Sequence, residues 1–364
     1  MKIKAAVLYE PKTPLKVEEV DLDEPKEGEV LVKLVGTGVC HTDLSVANGN
    51  IKMPMPIVLG HEGGGIVEKT GPGVTRVKPG DHVVLTGGAF CGKCRYCAMG
   101  KPILCEVFRP ILFQGILPGG QKRLHKDGQD LSHFFVQSSF AEYSVAPEEA
   151  AIKVRDDAPL DIVCILGCGA ITGIGSVINT AQVEVGSSTA IFGCGGVGMS
   201  ALLAAKAIGA GKIIVVDILD SKLKMAKELG ATHTINATLE NPVERIAQIT
   251  GDGADYSFVA ILNKDVIIQA IMAIRPGGQC TIIAGIPRGE YRLDNLGILH
   301  EKIIKGCRLG SVRAGVDIPA YVDLFMDGRL PLDKLVMRSY PLSEVNSAFE
   351  ALEKGEVIKS VIAF

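Results

Sequence analysis

Four cysteines stand close together in one short stretch of the chain. Their spacing is Cys91-x2-Cys94-x2-Cys97-x7-Cys105, which gathers four potential thiolate ligands in one short segment of the chain. Zinc favours such a tetrahedral sulfur set, and four protein ligands leave no open coordination position. An iron–sulfur cluster is the main alternative, but its fourth cysteine usually follows three residues after the third and precedes a proline. The spacing therefore predicts a structural zinc site.

A glycine-rich segment, GCGGVG, follows an apolar run and precedes a helical pattern. In this context Gly193 permits a tight turn, Gly195 lets backbone N–H groups approach a pyrophosphate, and Gly198 lets the helix pack closely on the strand. The N-terminus of that helix adds partial positive charge for the phosphates. We therefore predict a dinucleotide site whose loop also includes Gly196 and Val197.

An acidic residue follows at the spacing that such a site requires. Asp217 ends the strand IIVVD, nineteen residues after Gly198. A carboxylate there accepts hydrogen bonds from both adenosine ribose hydroxyls and repels a 2′-phosphate. The pattern predicts NAD rather than NADP, and a glycine-rich turn with a strand-capping aspartate is the alternative.

Three further side chains of types that can bind a metal are scattered along the chain. They are Cys40 in GVCHTD, His61 in LGHEGGG and Cys168 in LGCGAITG. Taken singly, each has an ordinary structural explanation, because a buried cysteine behaves as a small hydrophobe and a single histidine is usually structural. Scattered ligands are also what a cleft between two domains would produce, so spacing alone does not decide.

The hydrophobic pattern differs between the two parts of the chain. From residue 1 to about 150, short valine-rich strands such as 29–39 and 63–74 alternate with turn signals and predict an all-β region; a different pattern begins at about 170. From there on, strands alternate with helices from STAIFG to THTIN, which is typical of a parallel sheet with right-handed crossovers. The alternation continues through 256–261, a helix after Lys264 and the strand 279–287. Two amphipathic helices, DIPAYVDLFMDGRL and LSEVNSAFEALEKGE, and a terminal strand VIAF complete the pattern.

Length and composition limit the class of protein. A chain of 364 residues with 47% hydrophobic and 22% charged residues is typical of a globular protein of two domains. The net charge of −3 argues against nucleic acid or a membrane surface as a partner. The first residues lack the apolar core of a signal peptide, and no apolar run reaches 18 residues. We expect a cytoplasmic protein whose ten cysteines are reduced, which favours metal binding.

Together these motifs resemble those of the zinc-dependent medium-chain alcohol dehydrogenases of the liver type, including class III and bacterial relatives. The resemblance covers nearly the whole chain. It implies an α/β protein with a GroES-like β-rich catalytic domain at 1–169 plus 309–364 and a Rossmann domain, a doubly wound parallel sheet, at 170–308. The segments that carry it are GVCHTD (38–43), GHE (60–62), the four cysteines, SFAEYS (139–144), GCGA (167–170), GCGGVG (193–198) and KSVIAF (359–364).

The resemblance assigns Cys40, His61 and Cys168 to a catalytic zinc whose fourth position stays open for water or the substrate oxygen. Such a metal lowers the pKa of an alcohol so that the alkoxide transfers hydride to nicotinamide. The protein is thus expected to carry two zinc ions and to use NAD. Its expected activity is the interconversion of alcohols with aldehydes or ketones.

Three residues beside these ligands take roles by the same resemblance. Thr42 would accept the alcohol proton, Asp43 would orient His61, and Glu62 would sit behind the zinc and assist ligand exchange. Ser45 replaces the histidine that ends the proton relay of the liver enzyme. The relay past Thr42 then runs through the cofactor ribose and water or through His41.

The resemblance also assigns cofactor contacts outside the glycine loop. His41 and Lys359 would hold the pyrophosphate, and Lys222 would contact the adenosine ribose. The liver enzyme has arginine at both pyrophosphate positions, so weaker or pH-dependent cofactor binding is expected here. Ile286 is expected beside the cofactor at the substrate channel.

A substrate channel is expected around Ile51, Phe134, Phe135 and Leu309. Gly87 stands where relatives carry a bulky aromatic residue, so we expect a wider pocket near the zinc. This predicts that branched, cyclic or aromatic alcohols are used at least as well as ethanol.

Other functions stay open at this point. Arg109 aligns with the arginine that binds a substrate carboxylate in class III enzymes, which makes a glutathione-dependent formaldehyde dehydrogenase, acting on S-hydroxymethylglutathione, the alternative enzyme. Ile51 argues against it, because class III enzymes place an acid there. A noncatalytic relative would have lost metal ligands, and tightly bound NAD recycled by an external acceptor is a further possibility.

Relatives pair through their Rossmann sheets. A homodimer or homotetramer is therefore expected here, and the apolar strand 279–287 fits such pairing.

Overall fold

The computed structural model of the protein describes residues 1–285, 289–291 and 300–364. Ile286, expected near the cofactor, lies outside the described residues.

The strands are β1 (Lys2–Leu8), β2 (Lys16–Leu22), β3 (Glu29–Val39), β4 (Ile57–Val58), β5 (Gly63–Thr70), β6 (His82–Leu85), β7 (Leu124–Lys126), β8 (Gln129–His133), β9 (Tyr143–Pro147), β10 (Ala151–Lys153), β11 (Ser188–Phe192), β12 (Lys212–Asp217), β13 (His233–Asn236), β14 (Ala254–Val259), β15 (Ile274–Ile282), β16 (Ile303–Gly306), β17 (Val336–Pro341) and β18 (Lys359–Ala363).

Helices connect these strands. The α-helices are α1 (His41–Ala47), α2 (Arg95–Ala98), α3 (Leu160–Val163), α4 (Gly169–Gly175), α5 (Gly196–Ala207), α6 (Asp220–Leu229), α7 (Pro242–Thr250), α8 (Lys264–Met272), α9 (Ala314–Met326) and α10 (Val345–Glu353). A π-helical stretch, Ser176–Ala181, continues α4. Short 3-10 helices lie at Pro102–Leu104, Pro118–Gly120, Glu148–Ala150, Cys164–Gly167, Leu309–Ser311, Leu332–Leu335 and Leu342–Glu344.

No single described helix is long and apolar enough to cross a membrane. Two consecutive segments, Leu160–Gly167 and Gly169–Ala181, reach that length and composition only together, with a bend of 62° between them.

The chain divides into two compact units. The first comprises Met1–Gly169, Val312–Gly328 and Val336–Phe364, and the second comprises Ala170–Ser311 and Arg329–Leu335. The first boundary falls where the sequence placed it. The chain returns to the first unit at residue 312 instead of 309, and Arg329–Leu335 groups with the second unit.

The first unit contains a closed barrel and a larger sheet. The barrel has the order β1-β2-β7-β8-β4, and the sheet runs β10-β6-β5-β3-β18-β17 with β9 also paired to β3. β3 lies inside the sheet and is buried along almost its whole length, with Lys33 as its exposed residue. β18 lies antiparallel to the end of β3, with Ser360 opposite Val39. This register brings the C-terminal Lys359 next to the segment that begins at Cys40.

The expectation of an all-β region before residue 150 was wrong at two places, because α1 and α2 lie within it. In α1, Cys40 is the N-cap residue and its backbone N–H donates to the Asp43 carboxylate at 3.1 Å. An acid at the third helical position, here Asp43, is a sequence signal for the start of a helix. The signal is weak in GVCHTD, because the N-cap residue is a cysteine and not the usual Ser, Thr, Asp or Asn. The helix then buries Asp43, Val46 and Ala47.

The second unit contains six parallel strands in the order β13-β12-β11-β14-β15-β16. Numbered from β11, this is the order 3-2-1-4-5-6 of a doubly wound dinucleotide-binding sheet. The strand order reverses between β11 and β14, and ligands of such sheets bind at the carboxyl ends of the strands there. β11 ends at Phe192, directly before the glycine-rich loop.

Two details of this unit differ from the sequence interpretation. The strand expected at 279–287 begins earlier, at Ile274, and lies inside the sheet between β14 and β16. The outer edge is therefore β16. Helix α7 was missed, although Asn241 caps it by accepting the Val243 N–H at 3.0 Å and Pro242 occupies its first turn.

A buried ion pair lies beside a buried histidine in the first unit. Arg123 donates to both carboxylate oxygens of Glu29, at 2.9 and 3.0 Å. The backbone N–H of Arg123 donates to Nε2 of the buried His133 at 3.0 Å, while Nδ1 of that ring has no hydrogen-bond partner among the described residues. Burial, together with the positive charge of Arg123, lowers the pKa of His133 to about 3. The ring is therefore neutral in the folded protein.

The His133 ring predicts a specific acid sensitivity. Its pKa in the folded protein lies below the unfolded value of about 6.5, so stability is present above that pH and is lost as pH falls toward the folded value. Between pH 7 and pH 5, His133 should account for about 2 kcal/mol of lost unfolding free energy. His133→Gln should reduce this loss in urea-unfolding experiments at the two pH values. His125→Gln changes a half-exposed histidine of the same hairpin as a control, and an equal effect of both substitutions would contradict the assignment.

Candidate metal centres and nucleotide site

The four closely spaced cysteines form one cluster in the first unit. Cys94 caps α2, and Cys105 follows a short 3-10 helix, so both local turns point thiols inward. The sulfur atoms lie 4.0 Å apart for Cys91–Cys97, 3.5 Å for Cys94–Cys97 and 4.0 Å for Cys94–Cys105. Zinc–sulfur bonds of about 2.3 Å at tetrahedral angles require sulfur separations of about 3.8 Å. The cluster therefore fits a zinc ion.

The thiols of this cluster differ in acidity. Hydrogen bonds from the backbone N–H groups of Glu106 and Cys97 lower the pKa of Cys94 to about 6. Burial and the neighbouring Cys94 sulfur raise the pKa of Cys97 to about 12. One thiolate is thus available near neutral pH to start metal binding, and the remaining protons are released as the metal binds.

The three scattered ligand candidates also meet within the first unit. Cys40 follows β3, His61 lies between β4 and β5, and Cys168 lies between a 3-10 helix and α4. Their ligand atoms and one Glu62 oxygen all lie within 4.8 Å of one another. Nε2 of His61 is buried and has no hydrogen-bond partner among the described residues. A buried nitrogen without a partner, facing two sulfurs, fits a metal ion better than it fits an apolar core.

Asp43 determines how His61 is presented. One oxygen of its buried carboxylate contacts His61 Nδ1 at 3.1 Å and accepts the Gly60 N–H at 2.9 Å, while the other accepts the Cys40 N–H. A proton held on Nδ1 leaves the Nε2 lone pair free for a metal. Burial is the largest influence on the pKa of His61 and lowers it, but attraction to Asp43 and Cys40 together raises the pKa well above its ordinary value.

The two thiols of this site are hydrogen-bonded to each other and differ in acidity. A hydrogen bond from Cys168 is the main cause that lowers the pKa of Cys40 well below its ordinary value, and Lys359 also lowers it. The same hydrogen bond, with burial, raises the pKa of Cys168. Cys40 is therefore the more acidic of the two thiols, and binding of a divalent cation to both sulfurs would release their protons.

Glu62 is paired with Lys359 behind the ligand atoms. The Lys359 ammonium donates to the two Glu62 oxygens at 2.6 and 2.5 Å and to the Val39 carbonyl at 3.1 Å. Glu62 also accepts the Gly169 N–H at 2.8 Å. A side chain at Gly38 would begin 1.9 Å from a Glu62 oxygen, so only glycine fits beside this carboxylate.

Both charges of this pair are buried. Burial raises the pKa of Glu62 to about 7, and Lys359 opposes the shift. Burial also acts most strongly on Lys359 and lowers its pKa, but attraction to Glu62 and Cys40 outweighs it and raises the pKa. With 3% exposure and all three donors in use, Lys359 is engaged with Glu62. This arrangement argues against the expected pyrophosphate contact of Lys359.

Two aromatic rings that also contact each other, with centroids 4.6 Å apart, pack against the His61 ring. Phe134 meets its ring edge to face with centroids 5.1 Å apart, and Phe135 stacks on it at 5.0 Å. A Cβ atom at Gly87 would lie 2.7 Å from the Phe135 ring. The expectation that Gly87 widens the pocket was therefore wrong, because the space is filled by Phe135. The aromatic wall is retained but comes from a different position in the chain.

The glycine-rich loop of the second unit has the geometry of a phosphate-binding turn. Gly193 has φ of +101°, a conformation that glycine adopts without strain. A Cβ at Gly198 would lie 1.8 Å from the Gly193 carbonyl oxygen. Any side chain at position 198 would therefore prevent α5 from packing this closely on the end of β11. A Cβ at Gly195 would meet no atom of the described residues within 4 Å, so this backbone borders open space among them. Gly196 and Val197 then begin α5.

Asp217 is fixed at the end of β12. Its carboxylate accepts three backbone N–H groups, from Cys194 at 2.7 Å, Ile218 at 2.8 Å and Leu219 at 3.1 Å. The carboxylate is thus tied to the glycine loop at the carboxyl end of β12. Lys222 lies close enough to affect the same loop, since it opposes the rise that burial and Asp217 cause in the pKa of Cys194.

The remaining predicted residues are more dispersed. His41 is exposed in the first turn of α1, and the Thr42 hydroxyl lies 3.7 Å from Cys40 Sγ. Ile51 packs against the apolar cluster that contains Phe134. Leu309 belongs to the second unit. It begins the 3-10 turn Leu309–Ser311, which packs against the π-helical stretch Ser176–Ala181.

Gln137 was not singled out in the sequence. Its buried side-chain amide contacts the backbone on both sides of Glu62. Nothing in the string FFVQSSF marks this contact, because the residues it joins are 76 positions apart.

Comparisons with known proteins agree with this architecture. A family profile described as "Alcohol dehydrogenase GroES-like domain" matches residues 26–156, and one described as "Zinc-binding dehydrogenase" matches residues 196–326. The chain is 40% identical over 375 residues to an S-(hydroxymethyl)glutathione dehydrogenase of Paracoccus denitrificans, with 100% of both chains covered. It is 40% identical to an alcohol dehydrogenase class-3 of Dictyostelium discoideum, covering 99% of this chain and 97% of the relative.

Solved structures are similar over the full length. An alcohol dehydrogenase zinc-binding domain protein from Burkholderia ambifaria has a TM-score of 0.96 at 42% identity, covering 100% of this chain and 99% of that one. A benzyl alcohol dehydrogenase from Acinetobacter calcoaceticus has a TM-score of 0.95 at 38% identity with the same coverage.

The two ligand clusters predict separable metal sites. Elemental analysis should find two zinc ions per chain in the unaltered protein, one for each cluster. Cys97→Ser should remove one zinc and lower the melting temperature, because a closed site contributes directly to folding. Cys40→Ser should also remove one zinc and abolish turnover, but with a smaller effect on the melting temperature. A variant that keeps both zinc ions would show that its cysteine is not a ligand.

Proposed function

The chain belongs to the zinc-dependent medium-chain alcohol dehydrogenases and is an NAD-dependent zinc oxidoreductase, and we propose that its preferred substrates are alcohols with an aromatic or similarly bulky group. The observation that carries this proposal is the aromatic wall of Phe134 and Phe135 on the ring of His61. The products would be the corresponding aldehydes or ketones. The 38% identity to a benzyl alcohol dehydrogenase supports the same substrate class.

Different residues would bind the metal and accept the proton of the alcohol. When bound, zinc supplies a Lewis acid that makes an alcohol hydroxyl more acidic, and NAD accepts a hydride. Cys40, His61 and Cys168 would hold the metal. The Thr42 hydroxyl, 3.7 Å from Cys40 Sγ, would take the alcohol proton.

Other groups orient the ligands and the cofactor. Asp43 keeps the lone pair of His61 Nε2 directed at the metal position, and Lys359 holds the Glu62 carboxylate. In the second unit, Gly195 would let the backbone approach the pyrophosphate and Asp217 would bind the adenosine ribose. Asp217 already accepts three N–H bonds, so its negative charge is fixed where a 2′-phosphate would have to bind. This is the physical basis for a preference for NAD.

The aromatic wall favours aromatic substrates for an energetic reason. Aromatic pairs add about 0.5–1.5 kcal/mol beyond the area they bury, which corresponds to about two- to twelve-fold in a rate or binding constant. Phe135 also contacts Phe113, whose side chain is 40% exposed, so aromatic surface extends from the metal ligand to solvent. Ethanol is too small to use this surface.

Glutathione-dependent formaldehyde oxidation is a second candidate. Relatives with that printed name match the full chain, and Arg109 is exposed four residues before Phe113. The apolar surroundings of Ile51 weigh against it, because an acid there would be unpaired in an apolar cluster. We therefore place this activity second.

The second unit supports a proposal about assembly. β16 ends the sheet, and no described strand pairs with its outer edge. All four of its residues are exposed, including Ile303 at 51% and Ile304 at 41%. An exposed apolar edge strand is a template for pairing with another chain. We propose that two copies associate through β16, as a homodimer or as half of a homotetramer.

The substrate proposal predicts a selectivity that depends on Phe135. Among benzyl alcohol, cyclohexanol and ethanol, kcat/KM should be highest for benzyl alcohol. Phe135→Leu should lower kcat/KM for benzyl alcohol about tenfold and that for ethanol much less, because it removes ring contacts but keeps an apolar side chain. Gly87→Ala should act in the same direction by displacing the ring.

Phe349→Leu is the matched control, since it removes a ring that pairs with Phe140 at 5.9 Å. The proposal is wrong if ethanol is the best substrate or if Phe135→Leu affects all alcohols equally. Formaldehyde, with and without glutathione, belongs in the same panel. Turnover of formaldehyde that requires glutathione and exceeds that of benzyl alcohol would favour the second candidate.

The assembly proposal predicts a change of mass. The protein should sediment at twice or four times its chain mass of 38.5 kDa. Ile304→Lys should shift it toward smaller species, because a charged group on the edge opposes strand pairing. Leu239→Lys changes an apolar residue with 79% exposure elsewhere in the same unit and should leave the mass unchanged. Unaltered protein that sediments as a monomer would refute the proposal.

A further inference from the structure

The Gln137 side chain bridges the main chain around the metal ligand His61. Its Nε2 donates to the His61 carbonyl at 3.1 Å, and its Oε1 accepts the Gly63 N–H at 3.2 Å. The residue is completely buried. One amide thus pairs with a carbonyl and an N–H on either side of Glu62.

Gln137 belongs to a segment that is itself held firmly. We call Phe134–Ser139 the aromatic segment. The Ser138 hydroxyl donates to Val58 O at 2.7 Å and accepts the Phe134 N–H at 2.8 Å. Ser144 Oγ donates to the Gln137 carbonyl at 2.5 Å, and Ser139 N donates to Gly60 O at 3.0 Å. The aromatic segment is therefore fastened to the strand and loop that lead into His61.

The backbone of the aromatic segment is strained. Phe135, Val136 and Ser138 have φ of +48°, +57° and +58°, in the left-handed region that L-residues disfavour. A β-branched residue such as Val136 is rare there. Such conformations persist only where surrounding contacts determine them, and they concentrate at functional sites. The strain here coincides with the turn that places Phe134 and Phe135 on the His61 ring.

His61 is held both at its ring and at its main chain. Phe134 and Phe135 pack together against the ring, Asp43 contacts Nδ1, and Gln137 donates to the His61 carbonyl. Nε2 alone has no hydrogen-bond partner among the described residues. In the loop from 59 to 62, Asp43 and Ser139 hold the main chain of Gly60, and the Gly38 N–H donates to the Glu62 carbonyl at 3.0 Å. The Gln137 amide adds the contact to the His61 carbonyl between them.

We propose that Gln137 is a positioning residue that fixes the main chain of His61 so that Nε2 stays directed at the metal. Through the aromatic segment it also couples the metal ligand to Phe135, which forms the substrate wall. The inference rests on His61 being a zinc ligand, as in the proposed function, but not on the identity of the alcohol.

The test is the rate at which zinc leaves the protein. Gln137→Met keeps the length of the side chain and removes both hydrogen bonds. Loss of a partner that orients a metal ligand typically costs 10- to 100-fold in metal affinity. In excess chelator, one of the two zinc ions of this variant should leave about 10- to 100-fold faster than in the unaltered protein. The zinc of the four-cysteine cluster should leave at an unchanged rate and serves as an internal reference.

Asn346→Leu is the matched control. The Asn346 amide bridges the backbone of Leu15 in the same way, accepting its N–H at 3.0 Å and donating to its carbonyl at 2.9 Å, in the same unit but away from the metal ligands. This variant should release both zinc ions at the unaltered rates. Ser144→Ala, which removes only the anchor on the Gln137 carbonyl, should accelerate release in the same direction by a smaller factor and remains testable if Gln137→Met does not fold.

Melting temperatures separate positioning from general stability. With a positioning role, Gln137→Met should lower the melting temperature of the zinc-loaded protein more than that of the metal-free protein, because it weakens zinc binding to the folded state. Equal losses in both forms, or unchanged zinc release, would overturn the proposal. If the unaltered protein lacks the second zinc, the proposed function fails as well, whereas two zinc ions with unchanged release refute only the role of Gln137.

Discussion

The buried carboxylate of Asp43 is the contact on which the metal-binding region of the first unit depends. It accepts hydrogen bonds from the backbone of Cys40 and Gly60 and contacts the His61 ring, so it joins the start of α1 to the loop between β4 and β5. A buried carboxylate is unfavourable unless such donors surround it. Because it needs all of them at once, Asp43 fixes the relative positions of two ligands that are 21 residues apart in the chain.

The ion pair of Glu62 and Lys359 adds the C-terminus to this arrangement. Separating two buried charges from water is costly, and removing either one alone would leave the other unpaired. The pair therefore holds only if β18 stays beside β3, which is where Ser360 lies opposite Val39. Glycine at position 38 is required for the same reason, because any side chain would collide with the carboxylate.

Substrate selectivity follows from how the remaining space is divided. Phe135 fills the volume that a side chain at Gly87 would occupy, and its backbone has a left-handed conformation. The same turn brings Phe134 and Gln137 against His61. Metal geometry and pocket shape thus depend on one strained segment, so a change at either site is expected to affect the other.

The sequence by itself determined the two units, the dinucleotide loop with Asp217 and the closed cysteine cluster, because each depends on residue types at short, regular spacings. It also placed Cys40, His61 and Cys168 in one site, but only through their resemblance to a known family. Tertiary structure alone decided that Lys359 pairs with Glu62, that Phe135 occupies the space beside Gly87, and that Gln137 braces His61. These contacts join residues 297, 48 and 76 positions apart, and no periodicity records them because packing of the folded chain creates them.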